Sequence, residues 1–212
     1  MKFEIEEINN NTLEYPFLLS QIDKCPKKLF IIGNKEILRE KSIAIVGARK
    51  CSEYGKKVAR KLAYNLSKKG NIIVSGLARG IDTEAHIGTI NAHGRTIAVL
   101  ANGLDMIYPP ENRELAYEIL KNGGALVSEY ESGTKPLKEN FPERNRIISG
   151  LTNSTIVVEA QKKSGAIITA NYALEQGRNV YAIPGNLYSK LSEGTNKLIK
   201  EGAEIITDLQ EL

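Results

Sequence analysis

The sequence predicts an α/β protein: a mostly parallel sheet of about six or seven strands with helices on both faces. Three observations lead there. Short apolar blocks recur along the chain, several stopped by a glycine, as strands buried on both faces are. Longer stretches between them carry apolar residues at helical period. The two kinds alternate in order, which sets successive strands parallel and lays their crossover helices over both sides.

The first block is SIAIVG at 42–47. The stretch from about Tyr54 to Lys69 follows, with Val58, Leu62 and Leu66 at i, i+4 and i+8, and Ala59 and Ala63 beside them. At roughly 100° per residue those five share one arc; Lys56, Lys57, Arg60 and Lys61 fall outside it. Strands are then expected at 71–76, 95–103, 124–129, 154–160 and 179–185. Helices are expected at about Asp82–Ala92, Asn112–Lys121, Arg144–Leu151 and Ala166–Gln176. The segment 194–207 reads as a helix and a last strand. Residues 42–212 therefore make up the sheet domain. Residues 1–41 differ, because Pro16 and Pro26 break them into short pieces around a small apolar block, Leu29, Phe30 and Ile31. They read as a short lead-in packed on the core.

With 42% apolar and 25% charged residues in 212, the composition is that of a globular protein and excludes the disordered and fibrous classes. No apolar run reaches the roughly 18–20 residues of a membrane helix, so no membrane partner is expected. The polar, acidic start MKFEIEEINNN is no secretory signal. Two cysteines, Cys25 and Cys51, are too few for a disulfide framework, and a reduced cytoplasm is the economical location. The net charge of +4 is mild, but it is unevenly spread. Between Arg49 and Lys69 stand Arg49, Lys50, Lys56, Lys57, Arg60, Lys61, Lys68 and Lys69 against one acid, Glu53. Such a run is either a solvated helix face or the footprint of an anionic partner.

In a parallel sheet the strand-to-helix loops gather at the carboxyl ends of the strands, and ligands bind there. After the first strand comes GARKCSEYG, with Arg49 on the turn. Seven residues separate Gly47 from Gly55, which fits neither a dinucleotide fingerprint nor a phosphate loop. After the second comes SGLARGIDTEAH, where Gly76 and Gly80 bracket Arg79, and Asp82 is placed to cap the next helix. Later edges add NGLDMIYPPENR, SEYESG, EAQKKSGAIITA and IPGNLYS. Hydroxyls, glycine amides and arginines recur around one rim, and phosphate or carboxylate binding is the natural chemistry of such a rim.

Catalytic candidates are sparse. The two histidines, His86 and His93, have no cysteine or carboxylate at metal-ligand spacing, so no metal site is expected and a neutral structural role suits both. Ser75, Ser128 and Ser164 lack a G-x-S-x-G elbow. Glu129 and Glu159 end strands; pairing with the Arg144/Arg146 segment suits them better than acid–base work. The stretch KENFPERNRIISGL, 138–151, leaves a question open. Its two guanidiniums either close internal ion pairs or hold an anion that the protein does not supply.

Taken together, the edge motifs resemble one family. SIAIVGARKCSEYG, VSGLARGIDTEAHIG, GRTIAVLANGLDMIYPPENREL, LVSEY, FPERNRIISGLTNSTIVVEAQKKSGAIITANYALEQGRNVYAIPG and GTNKLIKEGA are similar, in order, to the motifs of the DNA-processing protein DprA (Smf) family. They span roughly Tyr15 to Thr207. The resemblance implies an extended Rossmann-like domain that binds single-stranded DNA and helps load the RecA recombinase onto it, in natural transformation and related recombination. It implies a homodimer formed near Asn196, Leu198 and Ile199, and neither catalytic turnover nor a cofactor. Carried onto this sequence, the family's DNA pocket comprises Arg49, Ser75, Gly76, Arg79, Lys138, Phe141, Arg144, Asn145 and Arg146. Arg113, Ser164 and Gly165 are further rim members. The residue types suit that role: Arg and Lys neutralise phosphates and release counterions, and an aromatic stacks on an unpaired base.

Many relatives add a C-terminal winged-helix-like domain and some an N-terminal helical module. Neither is expected within 1–212, nor is the duplex or partner binding those modules carry. One alternative is an enzyme. Nucleotide phosphoribohydrolases of the lysine-decarboxylase-like group use a P-G-G-x-G-T-x-x-E loop on a similar sheet. The nearest stretch here, KSGAIITANYALE, keeps one glycine and lacks the glutamate at that spacing.

Overall fold

The computed structural model describes residues 4–210; Met1–Phe3 of the lead-in and Glu211–Leu212 at the domain's end lie outside the described residues. The chain runs β1 (Glu6–Asn9), α1 (Phe17–Ser20), β2 (Lys28–Gly33), β3 (Ser42–Val46), α2 (Glu53–Lys68), β4 (Ile72–Ser75), α3 (Ile81–Asn91) and β5 (Thr96–Val99). It continues through α4 (Arg113–Lys121), β6 (Ala125–Ser128), α5 (Asn140–Gly150), β7 (Ser154–Val157), α6 (Gly165–Glu175), β8 (Asn179–Ala182), α7 (Glu193–Lys200) and β9 (Glu204–Ile205).

The strands form one sheet in the order β1-β2-β6-β5-β4-β3-β7-β8-β9. Every pairing from β6 through β9 is parallel. The mostly parallel α/β sheet is therefore as expected, but among the described residues it has nine strands rather than six or seven. The two extra strands come from the lead-in: β1 pairs antiparallel with β2, and β2 antiparallel with β6. An antiparallel edge needs no crossover helix, so the alternation that marked the other strands is missing there. Pro26 stands just before β2 and Pro16 just before α1, punctuating these elements rather than excluding them.

Alternation along each strand assigns the two faces. Ala44, Val46, Ile72, Val74, Ile97 and Val99 join the core under α5 and α6, with Ile147, Ile148, Leu151, Ala170 and Ala173. Ile43, Ile45 and Ile73 join the opposite core under α2 and α3, with Val58, Leu62, Leu66, Ile81 and Ala85. Farther along that side Ala98 and Leu126 meet Ala116 and Ile119 of α4. Full burial of each such Leu, Ile or Val side chain stabilises the fold by about 1.5–3 kcal/mol. The helix α2 starts where Ser52 accepts the Gly55 amide, a cap that contributes about 1 kcal/mol.

From β3 the chain builds outward one way through β4, β5 and β6, then returns to place β7 on the other side of β3. These two strands run parallel, Ile43 opposite Ser154 through Val46 opposite Val157. The helix after β3 lies over one face and the helix after β7 over the other. Their loops therefore part at the carboxyl edge, and a doubly wound sheet opens its crevice at such a switch point.

Candidate nucleic-acid interface

A cleft of about 730 Å³ lies at this switch point. One wall is the turn Gly47–Lys50 after β3, and another is the start of α6 with Gln161, Ser164 and Gly165. The third is the entry to α5, with Lys138 and Phe141. Tyr108 comes in from the loop before α4, and Asp82, Arg144 and Asn145 complete the lining from buried positions. The charged groups are Arg49, Lys50, Lys138 and Arg144 against the single carboxylate of Asp82.

The exposed wall pairs a cation with an aromatic ring. The Arg49 guanidinium carbon stands 5.0 Å from the Phe141 ring centroid. The Tyr108 ring is 5.8 Å from that of Phe141, inclined at 57°. Arg49 is exposed and has no carboxylate partner among the described residues, as is also true of Lys138. Phe141 is held there because α5 begins at Asn140, and Pro142 is tolerated in a helix's first turn, where amide donors lack partners anyway. The helix therefore starts four residues before the expected Arg144.

Deeper in, Arg144 is 3% exposed. Its Nη1 donates to the carbonyls of Gly76 (2.8 Å) and Val99, and its Nε to Asn145 Oδ1 (3.2 Å). Nη2 makes no hydrogen bond among the described residues. Burial pushes the guanidinium down to about 10, while the nearby Asp82 acts in the opposite sense. Burial likewise pushes the Asp82 carboxyl up, countered by Arg144 and by two amides. Asp82 does not cap α3 as expected; Gly80 occupies that position. Its Oδ2 reaches back to accept the amides of Gly76 (3.1 Å) and Ala78 (3.3 Å), bracing the loop that carries them. A Cβ on Gly76 would stand 2.7 Å from Arg144 Nη2 and 2.8 Å from Asp82 Oδ2, so only glycine fits between them. The next residue, Leu77, is left-handed at φ 57, a conformation that costs about 1–3 kcal/mol outside glycine. Its fully buried side chain anchors it beside Leu100 and Leu104.

The α6 wall is a helix terminus. Ser164 caps α6 with an extended backbone but no side-chain cap bond, and its buried Oγ has no partner among the described residues. The unpaired amides and the positive dipole end of such a turn favour an anion.

Of the residues expected at the rim, the structure brings Arg49, Lys138, Phe141, Arg144, Asn145, Ser164 and Gly165 into this cleft, with Gly76 packed directly behind it. Others lie elsewhere. The buried Ser75 donates its Oγ to the Ile45 carbonyl at 2.7 Å, tying β4 to β3. Arg79 is exposed and paired with Glu111; Arg113 is exposed at the start of α4. Arg146 is turned inward, where Nε donates to the Lys24 carbonyl (2.9 Å) and both Nη atoms meet Glu129. Glu129 thus takes the arginine partner expected for it. Glu159 does not: it accepts from the amide (2.9 Å) and hydroxyl of Ser52, ahead of α2. Asn196 exchanges two hydrogen bonds with the Gly185 backbone, and Leu198 and Ile199 pack on the core. Tyr108 and Gln161 line the cleft without having been singled out, and Lys50 joins them from the basic run. For Tyr108 the available signal was an aromatic placed just before two prolines on a ligand-edge loop.

His86 is buried behind the same loop. Thr96 Oγ1 donates to the Ile73 carbonyl, so the 2.8 Å contact to His86 Nδ1 requires a proton on Nδ1. The bare Nε2 has no partner among the described residues, and burial, then Arg144, push the imidazole down to about 3. It is a neutral core histidine. Among the described residues no three His, Cys, Asp or Glu side chains group to hold a metal.

A doubly wound sheet with a cationic, aromatic-walled cleft at its switch point, and no nucleotide phosphate loop there, defines a class of anion-binding α/β proteins. Sequence comparison gives the family. The model described as DNA recombination-mediator protein A matches residues 8–212, and the chain belongs to that family. DNA processing protein DprA of Streptococcus pneumoniae is 45% identical over 198 residues, covering 93% of this chain and 70% of that protein. Protein Smf of Escherichia coli is 46% identical, over 93% of this chain and 53% of its own length. The S. pneumoniae crystal structure superposes with a TM-score of 0.92 at 43% identity, over 98% of this chain and 72% of that one. DNA processing protein A of Helicobacter pylori, whose structure is described for its single-stranded DNA binding mode, gives 0.88 at 34%, over 98% and 93%. A molybdenum cofactor binding protein from Rippkaea orientalis, with a TM-score of 0.58 at 16% identity over 81% of this chain and 92% of that one, shares the fold alone.

Proposed function

We propose that the cleft binds single-stranded DNA and that the chain serves recombination by helping to load RecA onto that strand, as a cytoplasmic homodimer. The observation that carries the reading is the Arg49 guanidinium lying over the Phe141 ring, 5.0 Å from its centroid, with no carboxylate partner among the described residues. A cation beside a stacking platform is what a strand of alternating phosphates and unpaired bases requires. Lys138 and the α6 amide terminus add phosphate sites on either side. The H. pylori relative's DNA-binding description supports the same assignment. No helix of the described residues is long and apolar enough to cross a membrane.

The phosphoribohydrolase alternative wants a free carboxylate in the cleft. Asp82, the carboxylate of the lining, is occupied by two backbone amides, and Glu159 by Ser52. The test of the proposal is a salt titration of oligo-dT and duplex binding by fluorescence anisotropy, repeated with RecA and a filament-assembly readout. Oligo-dT binds far better than duplex, its log affinity falls with log salt by about 0.7 per neutralised phosphate, and RecA assembles faster on the loaded strand. Equal binding to both DNAs, or free base released from a nucleoside monophosphate, would overturn it.

A further inference from the structure

The cleft uses only Arg49 and Lys50 of the basic run at 49–69. The remainder extends along α2, where a second groove of about 410 Å³ separates that helix from α3. Its lining is Lys57, Arg60, Lys61, Tyr64, Gly88 and Asn91. The helices touch so closely at Gly88 that a Cβ there would stand 2.2 Å from the Arg60 carbonyl oxygen. The base of the groove is therefore backbone against backbone, and α2 side chains rise from it. Two ammonium groups flank the half-buried Tyr64 ring, Lys61 at 5.4 Å and Lys68 at 5.6 Å from its centroid. Arg60 is neutralised by Glu84 at 2.6 Å. Lys57 and Lys61 have no carboxylate partner among the described residues.

We propose that this groove is a second single-strand subsite, in which Tyr64 stacks on a base and Lys57, Lys61 and Lys68 contact the phosphates beside it. It rests on the single-stranded-DNA reading of the cleft and extends that strand's path along α2. The geometry suits one continuous strand. α2 begins three residues after Lys50 leaves the cleft, and Lys57 to Lys68 spans about 16 Å of helix. That length accommodates on the order of five stacked nucleotides at 3.4 Å each. The chemistry discriminates among polyanions. An acidic peptide would satisfy the lysines but offers Tyr64 no flat partner, whereas a single strand presents base and phosphate in turn. A solvated lysine over a half-buried ring is held more weakly than a stacked base, so the strand can take the ring face and draw the ammonium onto its phosphate.

The test compares oligo-dT of about four nucleotides, enough for the cleft alone, with oligo-dT of about sixteen. Proteins are the wild type, a Lys57→Gln/Lys61→Gln double variant, Tyr64→Leu, and Arg49→Ala as the cleft control. Both lysines are exposed, so the double variant keeps its melting temperature. The groove variants lose about tenfold in affinity for the long oligomer and none for the short one. The salt slope of the double variant on the long oligomer falls by about 1.4. If Arg49→Ala weakens both lengths while the groove variants weaken neither, the subsite is refuted and the cleft reading stands. If the wild type binds neither length, the cleft reading itself fails and the subsite with it. If oligo-glutamate displaces the long oligomer as well as unlabelled oligo-dT does, the groove is an acidic-protein dock and the proposal is wrong.

Discussion

Arg146 and Glu129 meet in a two-point ion pair, Nη1 to Oε1 at 2.7 Å and Nη2 to Oε2 at 2.6 Å. Among the described residues Arg144, two residues earlier on the same helix, hydrogen-bonds only to two carbonyls and a side-chain amide oxygen. Residues two apart on a helix point roughly 200° away from each other. One guanidinium therefore locks α5 to the end of β6 and to the lead-in, while the other lines the cleft.

The division predicts different losses. The Arg146 and Glu129 side chains are 9% and 17% exposed, and removing one partner of so buried a pair costs about 3–5 kcal/mol. Arg146→Ala lowers unfolding free energy in urea by that order, yet leaves oligo-dT affinity unchanged in protein kept folded by cooling. Loss of binding without loss of stability would place Arg146 in the interface instead.

Gly76→Ala forces a methyl against both Arg144 Nη2 and Asp82 Oδ2. Overpacking of this kind costs about 1–3 kcal/mol, and displacing Arg144 also weakens binding of single strands. Denaturation and anisotropy on the same sample read both effects. A fully stable variant with wild-type affinity would show that the loop adapts freely.

Phe141→Ala removes the stacking platform and lowers oligo-dT affinity by about 1–3 kcal/mol, with the salt slope nearly unchanged because no charge is lost. Arg49→Ala behaves in the complementary way, reducing the slope by about 0.7. Phe141→Tyr restores affinity. Should Phe141→Ala alter only the slope, the ring is acting through Arg49 and not on a base.

His86 sets a pH dependence of definite sign. Its pKa is lowered from 6.5 to about 3 in the fold, so below pH 6.5 the unfolded chain binds a proton that the native chain refuses. The associated stability is complete above pH 6.5 and declines by about 1.4 kcal/mol per pH unit as pH falls toward the folded value. His86→Gln is less stable at neutral pH but flatter across that window. Equal acid slopes for the two proteins would contradict a buried neutral imidazole.

The buried strands were legible because each is a short apolar run ended by a polar residue or glycine, and α2 because Val58, Leu62 and Leu66 repeat at helical spacing. β2 was not: Leu29, Ile31 and Ile32 are buried in it, but an antiparallel edge brings no crossover helix to flag it. In the site, the edge reading placed Arg49 on a ligand-edge turn, and the family resemblance added Lys138 and Phe141, whose charge and aromatic ring suit that edge. Residue type could not separate Arg144 from Arg146, since both are arginines in one turn and their directions depend on where α5 begins. Nor could it show that Ser75 is spent on a neighbouring carbonyl, or that Asp82 reaches backward and not to its own helix. Those are facts of packing between segments far apart in sequence.

The most direct test of the cleft is photocross-linking of oligo-dT carrying 5-iodouracil, followed by mass spectrometry of the linked peptide. The account predicts adducts on Phe141 or Tyr108, lost on competition with unmodified single strand and reduced in Arg49→Ala. Adducts confined to peptides outside the cleft, with binding intact, would contradict it.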